Sequence, residues 1–95
     1  MSLLDRFRRK KEDETSRFAR LSKTGRIAEG NIIDVTLDQT SRVTEVFYAY
    51  EIAGVEYESS QPLNEEQQSR QEIYKPGARV MIRYDPRQPA NSIVS

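Results

Sequence analysis

The side chains that most often carry out chemistry are scarce in this sequence. It has no His and no Cys, so the commonest general base, the commonest metal ligand and any thiolate nucleophile are missing. What remains falls into three groups. Glu45, Glu51, Glu56 and Glu58 flank the dipeptide Ala53-Gly54. Paired carboxyls catalyse when their surroundings drive their pKa values apart inside a cleft. Alternation on either side of a Gly-containing turn instead puts these four on the wet face of a hairpin, where like charges discourage edge-to-edge pairing. Asp34 with Glu56 and Glu58 would offer oxygen ligands of the kind Ca²⁺ or Mg²⁺ takes, at a spacing that matches no known binding loop. Phe47, Tyr48, Tyr50, Tyr57 and Tyr84 could stack on the bases of a single strand, but the four tyrosines occupy inward positions of their runs, which favours a core role. The expectation is therefore a non-enzymatic chain with no catalytic residue, no cofactor and no metal site.

The third group is basic. Leu3, Leu4 and Phe7 are followed by Arg8-Arg9-Lys10-Lys11. Zero net charge over 95 residues conceals an asymmetry: Met1 to Arg26 holds nine basic and four acidic residues, whereas Ile27 to Ser95 holds six basic and eleven acidic. A short apolar plug with cations behind it can lie in an anionic membrane interface, each basic residue contributing ~1 kcal/mol near the surface. It can also meet an acidic protein partner. The acidic body disfavours nucleic acid, because polyanion binding rests on positive charge.

These groups need elements to place them. Residues 1–25 form a basic amphipathic arm, helical or disordered. Ser2 and Asp5 resemble a capping box, Leu3, Leu4 and Phe7 keep helical spacing, and Phe18 and Leu21 form a second apolar pair. Nine residues without an apolar member, Arg8 to Ser16, interrupt the stripe, so a frayed or conditional helix ending at Gly25 is predicted. From Arg26 the period changes to two. In the first run Ile27, Ile33, Val35 and Leu37 share a face opposite Ala28, Gly30 and Ile32, and Gly30 signals a bulge or a close backbone approach. After a turn at Asp38 to Ser41, Thr44, Val46, Tyr48, Tyr50 and Ile52 point inward. Ala53-Gly54 makes a tight hairpin to Val55, Tyr57 and Ser59. Asn64 could cap a short helix, or the segment could be a loop. Pro76 and Gly77 form a type II turn, Val80, Ile82 and Tyr84 line a fourth strand, and Asp85, Pro86 and Pro89 build a rigid structural turn before a closing strand that leaves Pro89 outside it. The sum is an all-β, mainly antiparallel domain over 26–95, a small five-stranded barrel or curved sheet preceded by the arm. A body this small buries little surface, so closure, docking of the arm or homo-oligomer formation would each stabilise it.

The string Tyr74-Lys75-Pro76-Gly77, the alternating Val80 and Ile82, and Tyr84-Asp85-Pro86-Arg87-Gln88-Pro89 together resemble a widespread, mainly bacterial family of small β domains of unknown function. Its members share a Pro-Gly turn, an alternating strand and a closing Tyr-Asp-Pro-x-Asn-Pro element, with an early Gly-x-Ile/Val strand matched here by Gly30-Asn31-Ile32. Gln88 stands where that element usually has Asn. The resemblance covers roughly Ala28 to Val94 and implies the β fold, with no established activity. Family members often sit beside transmembrane helices, whereas no apolar run in this sequence approaches the ~20 residues a spanning helix needs. The sequence reading is thus a binding or accessory module, cytoplasmic and peripheral at the inner membrane where its arm engages. The alternative is a nucleic-acid-associated small barrel, with a carboxylate hydrolase a remote third.

Overall fold

A computed structural model describes residues 13–95. Helix α1 (Glu14–Thr24) leads into strands β1 (Arg26–Leu37), β2 (Val43–Ile52) and β3 (Val55–Pro62). A one-turn helix α2 (Glu65–Gln68) and a 3₁₀ turn (Gln71–Ile73) then precede β4 (Arg79–Asp85) and β5 (Gln88–Val94). The strands form one antiparallel sheet in the order β3-β2-β1-β4-β5, which curls into a nearly closed, barrel-like shell. Ile32, Val46, Tyr48, Tyr50, Ile82, Tyr84 and Val94 fill its interior.

The long first strand makes the curl possible. Up to the bulge, the inward residues of β1 are Ala28, Gly30 and Ile32. Between Ile32 and Asp34 the register slips against β2, leaving Ile33 as an extra residue. A bulge of this kind reverses which face later side chains occupy and sharpens the local twist. Val35 therefore turns inward, opposite the buried Val46. The apolar set expected on one face of β1 is split for this reason: Ile27, Ile33 and Leu37 remain 58%, 43% and 53% exposed. A second slip beside Leu37 puts Val43 into the core in place of Thr44. Gly30 is not itself the bulge. It is the close approach, since a Cβ there would lie 2.6 Å from the Ala49 carbonyl oxygen and 2.8 Å from Ile82 Cγ1.

The turns follow the sequence. Ile52 pairs with Val55, and Ala53 and Gly54 have φ of 52° and 83°, the left-handed pair that matches strand twist in a two-residue hairpin. Asp38 organises the β1–β2 turn, its Oδ1 accepting from the backbone N–H groups of Thr40 and Arg42 and from the Thr40 hydroxyl. These bonds favour the ionised carboxylate and lower its pKa, with the Thr40 hydroxyl the largest cause. At Pro76-Gly77, the Ala78 N–H donates to the Lys75 carbonyl and Gly77 has φ 90°, the type II geometry.

The shell's seam is closed by side chains. β3 and β5 form no ladder with each other, yet the Val94 N–H donates to Gln61 Oε1 (2.8 Å) and the Val94 carbonyl accepts from Gln61 Nε2 (3.2 Å) and Gln67 Nε2 (2.9 Å). One amide on β3 thus does for β5 what a neighbouring strand's backbone would. Gln67 also completes the capping box of α2: Asn64 Oδ1 accepts from the Gln67 N–H, and Gln67 Oε1 accepts from the Asn64 N–H. Both glutamines are buried and bonded, as buried amides must be to avoid a desolvation penalty.

Candidate functional site

Leu3, Leu4, Phe7, Arg8, Arg9, Lys10 and Lys11 lie outside the described residues, as does the Ser2–Asp5 cap. The described part of the arm is α1. Asp13 is its N-cap, in extended backbone, with Oδ1 accepting from the Ser16 N–H at 2.7 Å, and this bond holds the carboxyl below its usual pKa. Glu14 in the first turn and Lys23 in the last suit the helix dipole. The Gly25 N–H closes the helix by donating to the Leu21 carbonyl.

The helix lies over β4 and β5. Leu21 is fully buried, and so is Ile93 on the outward face of β5, which the helix covers. Arg17 reaches from α1 to β5, with Nη1 donating to the Ser92 carbonyl (2.8 Å) and to Asn91 Oδ1 (3.1 Å) while Nη2 pairs with Glu14 (2.9 Å). Arg20 lies 3.5 Å from Asp85. Two cations of the arm are therefore directed onto the closing turn and its strand.

That turn is held from three sides. Asp85 Oδ1 accepts from the Arg87 N–H at 2.8 Å, the Asx geometry expected of Asp before Pro. Pro89 lies within β5 rather than before it. Its missing N–H removes no ladder bond, because the register breaks between Tyr84 and Asp85 and pairing is interrupted there. Its carbonyl accepts from the Tyr50 hydroxyl. Tyr48 shares a 2.8 Å hydrogen bond with Ser92. Tyr48, Tyr50 and Tyr57 stack in series, with ring centroids 5.9 and 5.5 Å apart. Tyr48 and Tyr50 are buried, and burial raises both phenol pKa values. The Tyr48 and Tyr50 rings are core, and the half-buried Tyr57 ring packs against them.

The structure does not gather the carboxylates singled out from sequence. Glu51 and Glu56 are directly opposed at the hairpin end, Glu45 faces Pro62 and Glu58 faces Ala49. Asp34 turns its Oδ1 onto the Val35 N–H. Among the described residues no three His, Cys, Asp or Glu side chains are grouped as a metal would need.

Two features escaped the sequence reading. One is the Gln61–Gln67 seam, for which the only signal is that β3's alternation continues past Ser59 to a polar residue at an inward position. The other is a groove of about 210 Å³ between the first two turns of α1 and the end of β3, with Glu14, Thr15 and Phe18 on one wall and Pro62, Leu63 and Asn64 on the other. Nothing local in the sequence joins residues 14–18 to 62–64.

Among the described residues no helix is long and apolar enough to cross a membrane. Comparison with curated proteins and with solved structures finds no match. A family model does match residues 23–95, which takes in all five strands, the turns between them and the seam. The chain therefore belongs to the family described as a domain of unknown function, DUF3592.

Proposed function

We propose that this protein is a non-catalytic binding or accessory module, brought to an anionic membrane surface by its N-terminal arm. The supporting observation is how α1 is fixed. Arg17 and Arg20 spend their charge on Glu14, Ser92, Asn91 and Asp85 of the protein itself. The sequence ahead of Asp13 keeps a surplus of three positive charges, Arg6, Arg8, Arg9, Lys10 and Lys11 against Asp5 and Glu12. The outward carboxylates are spread along β2 and β3, an arrangement suited to solubility rather than acid–base work. Four cations at ~1 kcal/mol each give about 4 kcal/mol, millimolar binding on their own. Leu3, Leu4 and Phe7 add apolar insertion, for a weak and reversible attachment.

The test is co-sedimentation of the full chain with anionic and with neutral vesicles, beside a full-length variant in which Arg8, Arg9, Lys10 and Lys11 are all Gln. Binding to anionic vesicles only, lost in the variant and weakened by salt, is the expected result. Equal, near-zero sedimentation of both proteins with anionic vesicles would refute the membrane reading.

A further inference from the structure

We propose that apolar residues of the arm itself, Phe7 with Leu3 or Leu4 beside it, dock in the groove between α1 and the end of β3, so that the groove and the membrane compete for the same side chains. This rests on the reading of the arm given above and adds a regulatory state to it.

The groove's size argues for a small occupant. At about 210 Å³ it is below the range of ordinary ligand sites, ~300–1,000 Å³. A cavity of ~150 Å³ already holds benzene, so one aromatic ring with an aliphatic neighbour fits. The lining has the matching character, with the half-buried ring of Phe18 facing Pro62 and Leu63. Chain geometry argues for the arm in particular. Glu14 and Thr15 are themselves a wall of the groove, and the extended cap residue Asp13 (φ −72°, ψ 166°) connects that wall directly to residues 1–12. Six residues lie between Phe7 and Glu14, so seven residue-to-residue steps give a reach of up to ~25 Å. A tether that short gives a local concentration in the millimolar range, enough to populate a contact too weak for a free peptide. Charge argues the same way. Beyond Asn64 the exposed Glu65 and Glu66 open α2, while Arg8 to Lys11 follow the apolar anchors in sequence. Desorption from a membrane would leave Leu3, Leu4 and Phe7 in water. The groove removes that cost for the docked pair and holds the module in a membrane-incompetent form.

The chain has no Trp, so Phe7→Trp gives a single fluorescent reporter in the full-length protein. The groove is blocked by Thr15→Glu, an exposed position in the first turn where a carboxylate is welcome. Without vesicles, the Phe7→Trp protein should emit as a buried indole, independently of protein concentration, and adding Thr15→Glu should shift that emission to the water-exposed range. Thr15→Glu should also tighten binding to anionic vesicles, by up to about tenfold if nine-tenths of the arm is docked. An added negative charge acting through electrostatics alone would weaken that binding. A water-exposed indole that Thr15→Glu leaves unchanged overturns the proposal, as does burial that grows with protein concentration, which would indicate a second copy. The membrane reading fails separately: a buried reporter released by Thr15→Glu, in a protein that never sediments with anionic vesicles, upholds the groove contact and rejects the surface.

Discussion

Tyr48 shows how much one side chain holds together. It fills the shell, stacks on Tyr50 and bonds Ser92 across it. Burial raises its pKa above the ordinary value of 10, and that of Tyr50 likewise. A phenol whose folded-state pKa exceeds its unfolded one favours the native state fully below the unfolded value, and that contribution is lost as pH rises through the folded value. The contribution of these two tyrosines to stability should therefore be flat up to about pH 10 and fall above it, because the unfolded chain releases their protons first. Circular dichroism followed alongside phenolate absorbance would show two tyrosines titrating late and together with unfolding. Tyr48→Phe should reduce the steepness of the alkaline loss while costing stability at neutral pH, since Ser92 would lose its buried partner. Unfolding that precedes any late titration would contradict this account.

Among the elements, the seam between β3 and β5 is the most exacting. A five-stranded sheet can curl until its edges approach, but edge amides left without partners in a dry interior cost about 1–3 kcal/mol each. Gln61 and Gln67 supply those partners from side chains, so the shell closes without a sixth strand. Replacing Gln61 with Met keeps the volume and removes its bonds to both polar groups of Val94, leaving the N–H without a partner and the carbonyl with Gln67 Nε2 alone. The expected cost is about 2–3 kcal/mol in denaturant unfolding, with faster hydrogen exchange at the Val94 amide. An unchanged exchange rate there would mean that water or Gln67 alone satisfies the seam. α2 owes its position to the same arrangement. A single turn of helix has little stability of its own, and its capping glutamine is also a seam residue.

For the molecule as a whole, the question is whether α1 belongs to the arm or to the body. The family match begins at residue 23, near the end of α1, yet Leu21 is fully buried and Arg17 donates to the backbone of β5. Leu21→Ala should therefore destabilise the β domain itself, by about 3 kcal/mol, and lower the midpoint of one cooperative thermal transition. A loss below about 1 kcal/mol would mean that the helix rides on the shell without supporting it. The docked helix also sets Glu14, the residue after the cap Asp13, on the wall of the groove.

What the sequence determined by itself was local. Period-two patterning, the paired positive-φ turn at Ala53-Gly54, the Pro-Gly turn and the Asp-Pro corner each depend on residues a few positions apart. For them intrinsic φ/ψ preference and turn chemistry are enough. The inward set of β2 was legible for the same reason, except where a bulge exchanged Val43 for Thr44. Tertiary structure decided what depends on contacts between distant residues. The bulge at Ile33 shows in the sequence only as two adjacent isoleucines where the alternation changes phase, and the bend it makes serves a small closed shell that needs one strand to turn sharply. The role of Gln61 is set by Val94, thirty-three residues away, and the groove exists only because α1 crosses back to the end of β3. A side chain's conformational preference travels with the chain, whereas burial and hydrogen-bond partnership are properties of the assembled fold.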